Sequence, residues 1–139
     1  MTDVQRPEWS EVLAVFDTET TGIAPETTRI VSAYVGVLDP AGDVTQGQEW
    51  LLDPGIEIPE QATAVHGITT ANAQENGLNA AEGIAQILET LRGLFSAGIP
   101  VVAYNAAYDF TILDREAKRY GLAPLNEPAP VIDPLIIDK

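Results

Sequence analysis

Apolar positions along the chain follow two rhythms, a strand rhythm early and a helical one later. Val12 to Asp17 is a near-continuous apolar run ending in an acid, the pattern of a buried strand. Arg29 to Leu38 predicts a second strand, rich in β-branched and aromatic residues (Ile30, Val31, Tyr34, Val35, Val37). Asp39-Pro40-Ala41-Gly42-Asp43 is a turn sequence, so Val44 to Leu52 should return as a third strand antiparallel to the second, ended by Asp53-Pro54-Gly55. Pro59 to Ala64 reads as a short helical turn leading into His66-Gly67-Ile68-Thr69, with Gly67 as a turn or helix C-terminal residue. Helical spacing then takes over. Ile84, Leu88, Leu91 and Phe95 form one stripe of a helix from Ala80 to Ala97, with Asn79 as its N-cap and Gly98-Ile99-Pro100 as its end. Val101 to Tyr104 is a short buried strand. Asn105 can cap a further helix, Ala106 to Tyr120, which Gly121 ends. Beyond the proline-rich stretch Pro124 to Pro130, Val131-Ile132-Asp133 begins another short strand, and a helix starting at Pro134 is cut short at Lys139.

Three hairpin-connected strands followed by alternating helices and strands predict an α/β domain with a mixed sheet flanked by helices. The hairpin strands are antiparallel. The later strands return through helices and should lie parallel to the first. Asp17 and the residues after Tyr104 then sit at the same end of neighbouring strands, the end where open α/β sheets bind ligands. No internal repeat, low-complexity segment or second domain is visible, so residues 1–139 read as one domain.

Composition narrows the class. With 139 residues and a 45% hydrophobic fraction the chain can bury a core of ordinary globular kind. The polar start, Met1 to Ser10, is no signal peptide, and no apolar run reaches membrane-helix length. There is no cysteine, which excludes disulfides and thiolate metal sites and is compatible with a reducing cytoplasm, the expected location. The net charge of −14 argues against a nucleic-acid binder that works through a basic face. The objection weakens if some acids hold divalent ions, which invert the local field, or if a partner holds the protein on its substrate.

The chemistry is concentrated in Phe16-Asp17-Thr18-Glu19-Thr20-Thr21-Gly22. Side chains alternate along a strand, so Asp17 and Glu19 share a face, and Leu13 and Val15 share it further back. The acids are thus expected where a buried face reaches the strand end. Carboxylates held this way suit Mg2+ or Mn2+. A second acid, Asp109 in Asn105-Ala106-Ala107-Tyr108-Asp109-Phe110, falls in the first turn of a helix, where the macrodipole favours negative charge. Each feature has a plain structural reading. Paired acids often mark a solvated strand end, a first-turn acid often only answers the dipole, and a lone histidine beside glycine is often a turn residue. Tyr104, Tyr108 and Phe110 have the spacing of core residues, although aromatic rings could also stack on bases. Gly22 reads as a permissive backbone position.

In this order the segments resemble a known family. Phe16 to Gly22 is similar to the first motif of the DEDD (DnaQ-like) 3′–5′ exonucleases. Val65 to Thr69 resembles the His-Gly-Ile-Thr segment of the proofreading epsilon subunits of bacterial DNA polymerase III, and Asn105 to Phe110 resembles the second motif. The likeness covers Val12 to Asp133. It implies an RNase H-like mixed five-stranded sheet and hydrolysis of phosphodiesters with two Mg2+ or Mn2+ ions about 4 Å apart. On this resemblance Asp17 would bridge both ions, Glu19 would hold the water-activating ion and Asp109 would serve the other. Thr18, Thr20, Gln61 and His66 would face the substrate, while Thr21 is expected to serve the strand end alone. The implied partners are a single-stranded DNA 3′ end and a DNA polymerase subunit, in proofreading or repair, with nucleoside 5′-monophosphates as products.

The family pattern also has a third motif, a catalytic His or Tyr followed by a fourth Asp, and no such pattern occurs before Lys139. Asp133 and Asp138 are not in it. The expectation is therefore an exonuclease domain lacking its C-terminal helix and inactive in this form, since a missing general base costs about 10² to 10⁴ in rate. An RNA 3′-end-trimming enzyme fits the same residues, because contacts to a 2′-hydroxyl are not legible in one sequence. A non-catalytic module that binds a polymerase or nucleic acid is the third reading.

Overall fold

The computed structural model describes residues 12–22, 27–103, 106–125 and 131–132. A mixed sheet runs through them. Strands β1 (Leu13–Thr20), β2 (Ile30–Leu38) and β3 (Val44–Asp53) pair antiparallel in sequence order. Two further strands, β5 (Val101–Val102) and β6 (Val131–Ile132), continue the sheet beyond β1 in parallel. This is the expected five-stranded arrangement. A two-residue strand, β4 (Leu78–Asn79), adds parallel to the free side of β3, giving the order β4-β3-β2-β1-β5-β6. The expected Asn105 cap, the Tyr104 and Asp133 strand ends and the helix from Pro134 lie outside the described residues.

The described residues form four helices: α1 (Glu60–His66), α2 (Thr70–Asn76), α3 (Ala80–Ser96) and α4 (Ala106–Arg119). The Asn79 side chain accepts from the Glu82 N–H, as an N-cap should. Gly67, at φ 81°, closes α1 in the left-handed region, and its N–H reaches the Thr63 carbonyl at 2.7 Å. Helix α2 is absent from the sequence reading. Its residues, Thr-Ala-Asn-Ala-Gln-Glu-Asn, bury only Ala73, so no apolar stripe announces it. Its start is set instead by Thr69, whose hydroxyl accepts from the Asn72 N–H at 3.1 Å.

Helices α3 and α4 cover one face of the sheet. Ala14, Phe16, Ala33, Val35, Trp50 and Leu52 from the strands join Ile84, Leu88, Leu91, Ile112 and Leu113 in one buried cluster. Each buried Leu or Ile there contributes about 1.5–3 kcal/mol. Phe110 belongs to this packing, its ring 5.2 Å from that of Phe16, so it is a core residue rather than a base-stacking one. The expected burial of the acids' face is corrected here. On β1 the fully buried residues before the acids are Ala14 and Phe16, whereas Leu13 and Val15, on the face of Asp17 and Glu19, are only half-buried. The helices cover the Ala14–Phe16 side, and the acids lie on the more open one.

One irregularity lies next to the acids. Partners run in step from Leu13↔Leu38 to Glu19↔Ser32, and then Thr20 faces Ile30, so β2 carries one extra residue at Val31. A slip of one residue exchanges the faces of a strand. Ile30 accordingly joins Ala33 and Val35 in the main cluster, while Val31 turns to a second cluster with Ile58 and Ala73.

Candidate functional site

The topology brings the two acidic motifs to one edge. β1 and β5 are parallel, with Ala14 opposite Val101 and Val15 opposite Val102, so both chains emerge on the same side of the sheet. Beyond β5 the chain enters α4, whose first turn contains Asp109. Asp109 is 6% exposed, and its Oδ1 accepts a 2.7 Å bond from Thr18 Oγ1. The Thr18 hydroxyl between the two β1 acids is therefore committed to the third acid.

Asp17 is exposed and Glu19 half-buried on the opposite face of β1. Register sets their neighbours: Asp17 faces Tyr34, which faces Glu49, and Glu19 faces Ser32, which faces Leu51. These six residues line an open cavity of about 500 Å³. No Lys or Arg lines it among the described residues. The donors are carboxylate and hydroxyl oxygens, the chemistry that hard divalent cations take. No group of three acidic or histidine side chains suited to a metal ion occurs among the described residues. The structure thus unites Asp17 with Glu19 and brings Asp109 to the residue between them. A larger cavity, about 550 Å³, lined by Leu88, Phe110 and Leu113 of α3 and α4, contains none of these acids.

His66 ends α1 and reaches this edge. Its Nδ1 accepts from the Ile68 N–H at 3.1 Å, which leaves the proton of the neutral ring on Nε2. That nitrogen donates to the Thr20 carbonyl at 3.2 Å. Gln61 is exposed on the same helix. Val65, beside His66, is 82% exposed, an apolar side chain presented to solvent.

The Thr20 hydroxyl donates to the Gly22 carbonyl at 2.8 Å and lies 3.1 Å from the Tyr108 hydroxyl. Tyr108 donates to the same carbonyl, so its ring packs on the core and its hydroxyl latches α4 to the end of β1. Thr21 is buried and structural. Its Oγ1 accepts from the Arg29 N–H and its own N–H bonds the Arg29 carbonyl, each at 3.0 Å. Gly22 does not have the positive φ that a permissive role requires; the positive-φ glycines among the described residues are Gly42, Gly55, Gly67, Gly98 and Gly121. The Gly22 carbonyl, not its freedom, is what the neighbouring hydroxyls use.

One group escaped sequence reading. Glu116 is fully buried in α4, where its Oε2 accepts from the Ile30 N–H at 2.8 Å and Oε1 pairs with Arg119. Burial raises its pKa above the ordinary carboxylate value, and the Ile30 bond and the Arg119 charge oppose that rise in part. The available signal was its position among Ile112, Leu113 and Ala117 on the buried stripe of α4.

The mixed sheet, with antiparallel strands on one side of β1, parallel strands on the other and helices packed against it, is an RNase H-like fold. The chain is similar to solved structures of exonuclease I. Against a product-bound form the TM-score is 0.78 at 19% identity, covering 92% of this chain and 31% of the other. Against the Escherichia coli enzyme in complex with a dT13 oligonucleotide the TM-score is 0.75 at 19% identity, covering 92% and 29%.

Sequence comparison goes further: residues 14–139 match the exonuclease family (RNase_T), and the chain belongs to it. A DNA polymerase III subunit epsilon-like protein of Rhodobacter capsulatus is 34% identical over 125 residues, 88% of this chain and 16% of that protein. A PolC-type DNA polymerase III of Streptococcus thermophilus is 29% identical over 121 residues, 87% of this chain and 8% of that protein. The chain therefore spans less than a fifth of these curated relatives. Among the described residues no helix is long and apolar enough to cross a membrane.

Proposed function

We propose that this chain is a divalent-metal-dependent 3′–5′ exonuclease domain. It would release nucleoside 5′-monophosphates from DNA 3′ ends, in proofreading or repair in the cytoplasm, with a DNA polymerase subunit as partner. The observation that carries the reading is the pair Asp17 and Glu19 on one open face at the end of β1, in a chain of the exonuclease family. These two carboxylates would hold Mg2+ or Mn2+, with Asp109 as the further acid of the set. Bound divalent ions supply a nucleophilic water at neutral pH and neutralise charge on the leaving oxygen.

The remaining parts of the site act on the strand end and the substrate. Thr18 fixes the carboxylate of Asp109. His66 holds the Thr20 carbonyl and, with Gln61 and the exposed Val65, forms the side from which a 3′-terminal nucleotide would be gripped. A general base and a fourth acid are supplied, on this reading, from outside the described residues. The exonuclease I structure that contains a dT13 oligonucleotide supports a single strand as substrate.

The test is cleavage of a 5′-labelled single strand with Mn2+, with Asp17→Ala as control and matched DNA and RNA strands compared. Shortening from the 3′ end by the full-length parent protein, abolished by Asp17→Ala, is the expected result, with little or no cleavage by residues 1–139 alone. Mn2+ binding by calorimetry, unchanged by Asp17→Ala or absent altogether, would overturn the reading in favour of a non-catalytic interaction module.

A further inference from the structure

Glu116 is a buried carboxylate for which the proposed chemistry has no use. It lies on the face of α4 that carries Asp109, two helical turns further on. Its Oε2 takes the N–H of Ile30, the residue at which β2 slips by one position against β1. Backbone groups at a break in a ladder need a partner, and bulges next to functional sites re-aim the side chains around them. The break falls between Glu19 and Thr20. It therefore sets where the last acid of β1 ends and where the Thr20 carbonyl, the acceptor for His66, begins.

A fully buried carboxylate is costly unless it is bonded on both oxygens. Glu116 meets that condition through Ile30 and Arg119. Arg119 alone could have paired with an acid in solvent. The use of a buried one, aimed at a backbone N–H on another element, indicates a role in holding that backbone.

We propose that Glu116 is a positioning residue for the acidic strand end. By holding the Ile30 N–H it keeps the bulge at Val31, and through the bulge it sets how β1 continues past Glu19 and keeps the Thr20 carbonyl within reach of His66. The functional half of this inference rests on the exonuclease reading; the structural half does not.

Three variants test it. Glu116→Gln keeps an acceptor for Ile30 without charge, Glu116→Met fills the same space without an acceptor, and Glu116→Ala removes both. Amide signals and exchange of Ile30, Glu19 and Thr20 are followed by NMR, with Mn2+ affinity measured by calorimetry. The Met variant should expose the Ile30 amide to exchange, shift the Glu19 and Thr20 signals and weaken Mn2+ binding about 10-fold, the usual effect of losing a residue that orients a ligand. The Gln variant should resemble the parent in all three. If Met and Ala fail to fold, Gln still decides: loss of Ile30 protection in Gln would show that the Arg119 pair, not the bond to Ile30, is what matters, and would overturn the proposal. Unchanged Glu19 and Thr20 signals in a folded Met variant would overturn it as well. If the parent binds no Mn2+, the exonuclease reading fails, and the amide signals still judge the positioning role.

Discussion

Thr18 and Asp109, 91 positions apart, share a hydrogen bond of 2.7 Å that joins the acidic strand β1 to the acid at the start of α4. The donor is a β-branched hydroxyl on a strand, and the acceptor is a carboxylate that is 6% exposed. Replacing Thr18 by Val keeps the shape and deletes the donor, leaving the buried carboxylate short of one partner. Thr18→Val should cost about 1–3 kcal/mol in urea unfolding, and Thr18→Ser should recover most of it. On the exonuclease reading, Thr18→Val should also slow 3′-end cleavage more than it weakens strand binding. A Val variant as stable as the parent would show that the bond contributes nothing net.

The buried carboxylate of Glu116 predicts a specific pH dependence. Desolvation raises its pKa above 4.5, so the folded state binds its proton more tightly than the unfolded state does. The charges and titrating groups that face it are Arg119 and Tyr120 near the end of α4 and Arg29 before β2. Its contribution to stability is present in full below 4.5 and is lost as pH rises through the higher native value. Glu116→Gln removes that titration. Unfolding free energies of parent and Gln variant, measured from acid to neutral pH, should diverge above 4.5, with the variant gaining on the parent as pH rises. Parallel curves would refute the shift.

Two glycines of α3 should respond in opposite directions to the same substitution. A Cβ on Gly83 would meet Leu52 Cδ2 at 1.9 Å, and Leu52 is fully buried, so it has little room to yield. Gly83→Ala should destabilise by about 1–3 kcal/mol through overpacking, which exceeds the gain of about 1 kcal/mol in helix propensity. A Cβ on Gly93 meets nothing within 4 Å. Gly93→Ala should therefore stabilise by about 0.5–1 kcal/mol. Thermal unfolding of both variants checks the close approach of α3 to β3, and equal effects would deny it.

The sheet and the two long helices were legible because each carries its own period. Ile84, Leu88 and Leu91 repeat at helical spacing and are buried where that spacing puts them. The order of strands followed from short hairpin connections and helical crossovers. What did not show was any feature set by a single polar contact. α2 depends on one threonine cap and one buried alanine. The bulge at Val31 breaks the alternation that would reveal it, and the carboxylate that meets it comes from a position 86 residues away. The face of the acids was misjudged for a related reason. Val12 to Phe16 is apolar on both faces, so alternation could not tell which side the helices cover. Asp17 and Glu19 were legible as a pair, whereas the bond of Asp109 to Thr18 requires a tertiary contact that no spacing encodes.

His66 supplies the last prediction. Its two ring nitrogens are both engaged, Nδ1 by the Ile68 N–H and Nε2 by the Thr20 carbonyl, so the ring ties α1 to the end of β1. α1 buries no residue of its own, which leaves it few other attachments. His66→Phe keeps a ring of similar size and removes both bonds. Because the bonds are half-exposed, global stability should fall by no more than about 1 kcal/mol. Local order should change more. Amide exchange across Glu60–His66 should quicken, as expected for a segment with little buried apolar surface. If α1 grips the 3′-terminal nucleotide, the variant should raise KM for a single strand while Mn2+ affinity stays at the parent value. Unchanged exchange in α1 would mean that the helix is held by something other than this ring. A parallel loss of Mn2+ affinity would instead place His66 among the groups that order the acids.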